Sequence, residues 1–372
     1  GSGAVGGRVT LFINGRFLTQ PVSGVQRYCH EILGALDQLL QRDPGRFGPV
    51  EVRVPHAGTS PPWRGLRTRV VRGGMGHVWE QGALHHAARG GPLLSLGNSG
   101  PLRHRSHILC LHDANLFDIP EAFSPRYRAW HRMLRPMLAR RAAALLTVSH
   151  HSASALAHHL RIDARRFEVV PNSAEHVLHW PVHAGVPARY GLDPGNYLLS
   201  VGNQSPNKNI ARLVAAHGAA GPCVPPLAIV GGTVPGVAQM EAGQGRRIHA
   251  LGRVPDSDLR GLYEGAAGVV FPSLFEGFGI PPLEAMQLGV PVLCARSGAM
   301  PDVLGPGPLW FDPRDPGDIA RCLRAFADMD ASRRKSQSVI GRAVAAQYRW
   351  ADSAARLLDS VEQVVGQAQL AA

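Results

Sequence analysis

Short apolar runs alternate with longer segments of helical periodicity along the whole chain. The segment 24–40 repeats apolar residues at every third or fourth position, which predicts a helix. The strand candidates of the first half are VTLFING (9–15), VEVRVP, HILCLHD and ALLTVS. Those of the second half are YLLSVG (197–202), LAIVGG (227–232), IHALGRV, GVVFPS and PVLCA. Strands that alternate with helices predict parallel sheets covered by helices on both faces.

The pattern breaks at 172–196, a stretch rich in proline and glycine and without periodicity. We interpret this stretch as a linker between two domains. A length of 372 residues is comfortable for two cores. Two α/β halves joined here would form a cleft between the carboxyl ends of two sheets, where open α/β folds bind ligands.

The segment FPSLFEGFGIPPLEAMQLGVPV (271–292) holds the clearest candidate chemistry. Its pattern predicts a strand, a glycine loop and a helix that Pro281 and Pro282 begin and Gly289 ends. The start of a helix carries free N–H groups and partial positive charge, which suits a phosphate. Glu276 falls in the loop and Glu284 in the predicted first helical turn. A carboxylate can accept two hydroxyl hydrogens from a ribose, so the pattern predicts a sugar joined through phosphate to a nucleoside.

This segment, with LGRVPDSDLRGLYEGAAGVVFPS before it, resembles the retaining GT-B glycosyltransferases of family 4, which share the E-x7-E motif. The resemblance covers nearly the whole chain. It includes SGVQRY, LHDANLF, TVSHHSASAL, VVPNSAEH, VGNQSPNKNIARLV and SGAMPDVLGPGPLWFDP. It implies an α/β GT-B fold: two Rossmann-like, doubly wound domains facing across a cleft. The expected domains are 8–182 on the acceptor side and 183–346 on the donor side, with the helix in 347–372 crossing back to the first.

The resemblance also implies donor-binding roles in the second half. Glu284 would hold the donor ribose, and Lys208 in SPNKN would bind the diphosphate. Glu276 would hold the donor sugar together with the backbone of Gly277, Phe278, Gly279 and Ile280. Lys208 is informative by itself, because Lys335 is the only other lysine in an arginine-rich chain. A compact ammonium group at a phosphate explains the exception.

Two departures from the family pattern concern charge and the glycine loop. Many members carry a basic residue where this chain has Asn203, so Arg253 or Arg27 would balance the phosphate charge. Arg253 and Val254 lie where the family packs the nucleotide base. In the first half, Gly24 matches a loop that approaches the donor, although the usual double glycine is Ser23–Gly24 here.

His112 matches a histidine near the donor sugar and the acceptor, and Asp113 beside it is the other polar candidate for acceptor binding. The catalytic set implied by the resemblance is therefore His112, Lys208 and Glu276. The resemblance implies transfer of a hexose with retained configuration and without a metal or other cofactor. The departing phosphate would take the acceptor proton.

The implied partners are a nucleotide-sugar donor and a carbohydrate or lipid-linked oligosaccharide acceptor in bacterial surface polysaccharide synthesis. Mannose from GDP-mannose is our first hypothesis for the donor, and rhamnose or another hexose is the next. Two other classes stay open: a nucleotide-sugar epimerase or isomerase on the same fold, and a non-catalytic polyanion-binding protein. The epimerase would turn over without an acceptor, and the polyanion binder would be indifferent to the loss of Lys208 or Glu284.

The formal net charge of +12 favours anionic partners without selecting one. The segment 124–149 interleaves arginines with apolar residues, which is typical of a helix lying on an anionic membrane or of a helix packed on the core with arginines outside. We expect a cytoplasmic protein with possible peripheral contact with the inner membrane, and no nucleic-acid partner. Five scattered cysteines are interpreted as reduced core residues.

Two further patterns are not given a metal-binding role. The histidine pairs His150–His151 and His158–His159 have no cysteine or carboxylate partners that would complete a zinc site. The D-x-D of Asp328–Asp330 lies in a helical region rather than after a strand, and we interpret it as a chance match.

Overall fold

The computed structural model describes residues 9–58, 60–203, 205–232 and 247–370. The chain divides into two compact units. The first unit comprises the chain up to Asp118, Phe123–Asn172 and the segment from Trp350 onward, and the second comprises Ile119–Ala122 and Ser173–Arg349. The changes of unit therefore fall after Asn172 and after Arg349, whereas the sequence placed them after 182 and 346.

In the described part of the first unit, seven strands form one parallel sheet in the order β3-β2-β1-β4-β5-β6-β7. The strands are β1 (Leu11–Asn14), β2 (Val50–Val54), β3 (Arg67–Val70), β4 (Leu93–Ser95), β5 (His107–Cys110), β6 (Ala144–Thr147) and β7 (Phe167–Val169). The order reverses beside β1. The carboxyl ends of β1, β4 and β5 therefore share one edge, where a doubly wound sheet binds ligands.

Helices lie in the connections from β1 to β2, β3 to β4, β5 to β6 and β6 to β7. They are α1 (Gly24–Arg42), α2 (Gly76–Trp79), α3 (His85–Ala87), α4 (Asn115–Asp118), α5 (Pro125–Arg141) and α6 (His150–Leu160), with a π-helical turn at Glu80–Leu84 between α2 and α3. Short 3-10 turns occupy Gly15–Thr19 and Ala164–Arg166 in this unit. The apolar face of α1, which produced its periodicity, is buried.

The described part of the second unit contains a six-stranded parallel sheet in the order β10-β9-β8-β11-β12-β13. Its strands are β8 (Leu198–Val201), β9 (Leu227–Val230), β10 (Ile248–Gly252), β11 (Gly268–Phe271), β12 (Val292–Ala295) and β13 (Leu309–Phe311). Its helices are α7 (Val186–Arg189), α8 (Ile210–Ala220), α9 (Asp256–Gly265), α10 (Ile280–Gln287), α11 (Met300–Leu304), α12 (Pro316–Ala327) and α13 (Ala331–Ala345). 3-10 turns lie at Pro120–Ala122, Glu175–His179 and Pro206–Lys208.

The last helix, α14 (Trp350–Leu370), belongs to the first unit and packs against α1, so the implied return of the chain is confirmed. Polar contacts fix it there. Ser353 Oγ donates to the Pro171 carbonyl at 2.7 Å, and Ser360 Oγ donates to a Glu168 carboxylate oxygen at 2.8 Å.

The ten elements predicted from apolar runs and helical periodicity are present, but β3, β4, β7 and β13 were missed. β3 reads RTRV and all four residues are exposed, so it has no apolar run. The other three strands have three residues each, too short for a periodic signal.

The stretch 172–196 was predicted as a linker, and this is corrected by the structure. From Ser173 onward it is part of the second unit, with a 3-10 turn at Glu175–His179 and the helix α7. Val186 is fully buried, and a Cβ on Gly261 of α9 would lie 2.7 Å from its side chain. Proline and glycine remove periodicity here without removing structure.

Candidate active site

The turn that carries Lys208 is fixed to the loop that carries Glu276. Asn209 adopts a left-handed backbone conformation, and its Nδ2 donates to the carbonyls of Pro272 at 3.1 Å and Pro313 at 2.8 Å. The N–H of Leu274 donates to the Asn207 carbonyl at 2.7 Å. These contacts join the loop after β8 to the loop after β11. Sequence analysis missed both asparagines, although they flank Lys208 in SPNKN.

Lys208 and Glu276 form an ion pair between the Nζ atom and Oε1. The two side chains keep 18% and 14% of their surface exposed, so a ligand can reach the pair. The ammonium group also lies over the ring of Phe271 at 5.6 Å. The structure therefore brings together the predicted diphosphate-binding lysine and the predicted sugar-binding glutamate.

The backbone around Glu276 is held by the segment Ser297–Ala299. The N–H of Ala299 donates to the Glu276 carbonyl at 3.1 Å, and Ser297 Oγ donates to the Ser273 carbonyl at 2.7 Å. Gly298 has φ +54°, and a Cβ there would lie 2.7 Å from the Glu276 carbonyl oxygen. The glycine is therefore required by this close approach. Gly277 and Phe278 continue the loop, and Phe278 is buried.

The helix that follows begins earlier than predicted. Gly279 caps α10 with φ +87°, and a Cβ there would lie 2.5 Å from the Met300 sulfur. Because Ile280 is already helical, Glu284 is the fifth residue of α10, and its prediction in the first turn was wrong.

Two side chains from distant parts of the sequence hold the Glu284 carboxylate. Tyr263 donates its hydroxyl hydrogen to Oε2 at 2.7 Å, and His176 Nε2 lies 2.7 Å from Oε1. Glu284, His176 and Tyr263 are all buried. These two contacts, one on each carboxylate oxygen, fix the orientation of the Glu284 side chain. No spacing in the sequence relates the three residues.

The structure gives less support to the remaining residues that were predicted to bind the donor. Asn203 Oδ1 accepts the N–H of Ser205 at 3.1 Å and so shapes its own loop. Arg253 is exposed, and its side chain makes no hydrogen bond or ion pair within the described ranges. Val254 beside it is half-buried. Arg27, the other candidate for balancing phosphate charge, lies in the first unit, where its guanidinium is 4.0 Å from Glu31.

In the first unit, His112 lies two residues after the end of β5 and is buried. Its Nε2–H donates to the Leu96 carbonyl at 2.7 Å, and Tyr28 packs edge-on against its ring at 4.8 Å. Burial lowers the pKa of His112, partly offset by the Leu96 hydrogen bond. A neutral ring that donates through Nε2 leaves Nδ1 as a hydrogen-bond acceptor.

The other two first-unit candidates have local roles. Asp113 is half-buried, and its Oδ1 accepts the N–H of Asn115 at 3.0 Å, which is the geometry of a turn former. Gly24 begins α1, and a Cβ there would meet no atom within 4 Å. The backbone N–H of Ser23 donates to Gln26 Oε1 at 3.2 Å, and this contact caps the helix that Gly24 begins.

Comparison with known proteins agrees with this architecture. The family described as "Glycosyl transferases group 1" matches residues 188–342. O-antigen chain mannosyltransferase B of Escherichia coli is 33% identical over 268 residues, which is 67% of this chain and 68% of that protein. The chain belongs to the GT-B glycosyltransferases of family 4.

Solved structures show the same fold at low sequence identity. Sucrose-phosphate synthase from Thermosynechococcus elongatus superposes with a TM-score of 0.74 at 18% identity, covering 97% of this chain and 100% of that one. Anabaena HepE in complex with UDP and glucose gives 0.73 at 17% identity, covering 96% and 100%. This glycosyltransferase therefore has the GT-B fold that its sequence implied.

The basic segment of the glycosyltransferase is mostly a core-packed helix. Leu134 and Leu138 of α5 are buried among the residues of the first-unit core. Arg135 is also buried, which corrects the expectation that all the arginines lie outside. Its guanidinium donates to the Tyr127 hydroxyl at 3.2 Å, so a local hydrogen bond accompanies its burial.

The D-x-D segment joins α12 to α13. Asp330 caps α13, because its Oδ1 accepts the N–H of Arg333 at 2.8 Å. Across the described ranges, no three His, Cys, Asp or Glu side chains are grouped so that they could hold a metal ion.

Four cysteines are buried as expected, but Cys223 is exposed. Cys223 lies in an exposed turn between α8 and β9. Among the helices of the described residues, none combines the length and apolar character needed to cross a bilayer.

Proposed function

We propose that this glycosyltransferase transfers mannose from GDP-mannose to a carbohydrate or lipid-linked oligosaccharide acceptor in bacterial surface polysaccharide synthesis. The observation that carries a nucleotide-sugar donor is the Lys208–Glu276 pair, fixed beside the start of α10. Mannose and the pathway are supported by the similarity to O-antigen chain mannosyltransferase B. A peripheral cytoplasmic location is part of this proposal.

Lys208 stabilises the leaving group in the proposed reaction. As the bond between the anomeric carbon and the phosphate oxygen breaks, its electron pair leaves with the nucleoside diphosphate. An ammonium group and the free N–H groups at the start of α10 are well suited to this developing charge. Glu276 orients Lys208 and accepts hydroxyl hydrogens from the donor sugar.

The configuration at the anomeric carbon is retained in this proposal. The acceptor oxygen bonds to the anomeric carbon on the face from which the diphosphate departs. The acceptor proton passes to the departing phosphate oxygen, so the step needs no separate general base and no metal. Lys208, the start of α10 and Arg253 supply the positive charge.

Glu284 binds the ribose of the donor by accepting hydrogens from its two hydroxyl groups. Support comes from the way Tyr263 and His176 fix the carboxylate at 2.7 Å each. A carboxylate that is already oriented loses little conformational freedom when the ribose binds.

The candidate residues of the first unit are assigned to acceptor binding, except Gly24, which is assigned to the donor. His112 accepts an acceptor hydroxyl hydrogen at Nδ1 while Nε2 stays on the Leu96 carbonyl. Asp113 binds the acceptor through carboxylate capacity that the turn does not use. Gly24 is assigned to the donor by the family resemblance, and its support is that a Cβ there would meet no atom within 4 Å.

The first experiment is thermal unfolding with GDP, UDP, dTDP and CMP and their common sugar conjugates, with a chelator present. A ligand at a hundred times its Kd stabilises the folded state by about 2.7 kcal/mol. We expect GDP and GDP-mannose to give the largest shift, and the shift to disappear in Lys208→Met. A larger shift with another base would replace the donor assignment.

The second experiment is transfer itself. GDP-mannose and a panel of mannose-terminated glycans are incubated with and without chelator, and the product linkage is read by NMR. Donor turnover without acceptor would favour the epimerase alternative, whereas inverted product or inhibition by chelator would contradict the proposed mechanism.

A further inference from the structure

The first unit contains a cavity of about 540 Å³ at the amino ends of β1, β4 and β5. Val9, Pro92 and Ser106, which lie one or two residues before these three strands, form part of its lining. His112 follows the opposite, carboxyl end of β5. The cavity is therefore separate from the candidate acceptor residues of this unit.

The lining is strongly basic. Arg89, Arg103 and Arg105 all contribute to it, and its described residues include no carboxylate. The side chains of these arginines form no hydrogen bond or ion pair with any part of the chain that the structure describes. Three exposed cationic groups that line one cavity without a carboxylate among its described lining favour an anion.

A histidine beside the arginines supports the same interpretation. Nδ1 of His85 is buried and has no hydrogen-bond partner among the described residues. Burial lowers the pKa of His85, and the charges of Arg89 and Arg103 lower it further, so both guanidinium groups lie close to this ring. The ring is thus a neutral hydrogen-bonding group within the cationic lining.

One wall of the cavity is apolar. It consists of Val364, Val365 and Ala368 on one side of α14, together with Val9. The volume lies within the range of about 300–1,000 Å³ that is usual for small-molecule sites. It exceeds what a bare phosphate needs, so the lining fits a ligand with an anionic head and an apolar part.

We propose that this cavity, the basic pocket, binds the phosphate or diphosphate head of an amphiphile, whose hydrocarbon part lies along α14. Arginine suits this head because its planar guanidinium can donate two parallel hydrogen bonds to phosphate oxygens. Both the headgroup of a membrane phospholipid and a short prenyl diphosphate in solution have this chemistry. The proposal is independent of the assignment of the donor.

The direct test is calorimetric titration of farnesyl diphosphate into the full chain carrying Lys208→Met, which removes the diphosphate contact of the donor site. Adding Arg89→Gln, Arg103→Gln and Arg105→Gln is expected to weaken binding about a hundredfold, since each charge-assisted hydrogen bond contributes substantially. Adding Arg126→Gln, Arg132→Gln and Arg140→Gln instead removes the same charge from exposed positions of α5 and is expected to change nothing.

Equal weakening of farnesyl diphosphate binding by both triple variants would overturn the proposal. The absence of binding would overturn it when the pocket substitutions also leave vesicle flotation unchanged. Inorganic pyrophosphate tests the apolar wall, because it is expected to bind more weakly than farnesyl diphosphate. Equal affinity for the two would overturn the amphiphile assignment. Nucleotide-induced thermal shifts of the otherwise wild-type chain should survive the pocket substitutions, so a failure here is distinguishable from a failure of the donor assignment.

Flotation with phosphatidylglycerol and phosphatidylcholine vesicles separates the two sources of the ligand. The pocket variant carries Arg89→Gln, Arg103→Gln and Arg105→Gln, and the α5 variant carries Arg126→Gln, Arg132→Gln and Arg140→Gln. A membrane headgroup is supported when the protein floats with phosphatidylglycerol vesicles but not with phosphatidylcholine vesicles, and when the pocket variant loses this flotation while the α5 variant keeps it. Farnesyl diphosphate binding without flotation supports a soluble ligand. Flotation that only the α5 variant loses, together with no farnesyl diphosphate binding, would overturn the basic pocket and place the membrane contact on α5.

Discussion

The two units hold their candidate residues in different ways. In the second unit, Lys208 contacts Glu276 across 68 positions of sequence, and Glu284 contacts His176 across 108. In the first unit, Asp113 accepts a hydrogen bond from Asn115, only two residues away. His112 donates one to the carbonyl of Leu96, sixteen residues away. Contacts between side chains so far apart in sequence form only when the unit is folded. We therefore expect the chemistry to depend most on the second unit.

The largest effect is expected at Lys208. Lys208→Met removes the cation of the leaving-group site and leaves Glu276 unpaired, so kcat/KM should fall by about 10²–10³, as for other groups that stabilise transition-state charge. The measurement is the steady-state rate with saturating acceptor.

Lys335→Met is the matched control, because Lys335 is exposed on α13 and is the only other lysine. It should leave both the rate and the melting temperature unchanged. Wild-type activity in the Lys208 variant would remove the basis for assigning the donor site to the second unit.

A smaller effect is expected at the Glu284 carboxylate. Glu284→Gln should weaken GDP binding roughly tenfold, because a charged hydrogen-bond acceptor is worth about 1.5–3 kcal/mol. The loss should appear in the donor KM rather than in kcat, since the ribose does not react. With 2′,3′-dideoxy-GDP, the variant and the wild type should bind alike.

His176→Phe and Tyr263→Phe test the two side chains that orient the Glu284 carboxylate. Each removes one partner of Glu284, so each should weaken GDP binding by less than Glu284→Gln does. In combination with Glu284→Gln, either substitution should have little further effect. Fully additive losses would mean that His176 and Tyr263 do not act through Glu284.

Sequence analysis predicted much of this arrangement, and its failures share a cause. Apolar runs identified the longer buried strands, because burial on both faces of a parallel sheet demands them. Lys208, Glu276 and Glu284 were found by residue type and local context. His176, Tyr263 and Asn209 were not, because their partners lie far away in sequence and no periodicity relates them. The start of α10 was misplaced because Gly279 supplies the cap that Pro281 was expected to mark.

In the first unit, the comparison predicts a milder loss at His112. His112→Asn should lower kcat/KM about tenfold, because His112 supplies one hydrogen bond to the acceptor and no proton transfer, which would be worth about a hundredfold or more. Burial lowers the pKa of His112 below its ordinary value of about 6.5, so the ring stays neutral as the pH falls through 6.5. The pH profile of kcat/KM should therefore show no acid limb from His112 at or above 6.5. A limb there that disappears in His112→Asn would contradict both the neutral state and the proposed role.

The smallest effect concerns stability at His131 of α5. Its ring is 2% exposed, and neither nitrogen has a hydrogen-bond partner among the described residues. The ring packs against Tyr127 at 4.1 Å between centroids. Because phenylalanine fills a similar volume without unsatisfied polar atoms, His131→Phe should stabilise the first unit by about 1 kcal/mol.

The pH dependence of this stabilisation identifies its cause. Burial, followed by the charge of Arg135, lowers the pKa of His131 to about 3, whereas the unfolded chain binds the proton at about 6.5. Between these values the unfolded state holds more protons, so His131 makes the protein less stable as the pH falls from 6.5 toward 3. The advantage of His131→Phe should therefore widen between pH 7 and pH 5 in urea unfolding. His107, whose pKa is also lowered to about 3 by burial, keeps some acid sensitivity in the variant. A stability difference that stays constant across this range would mean that His131 is not held neutral by its surroundings.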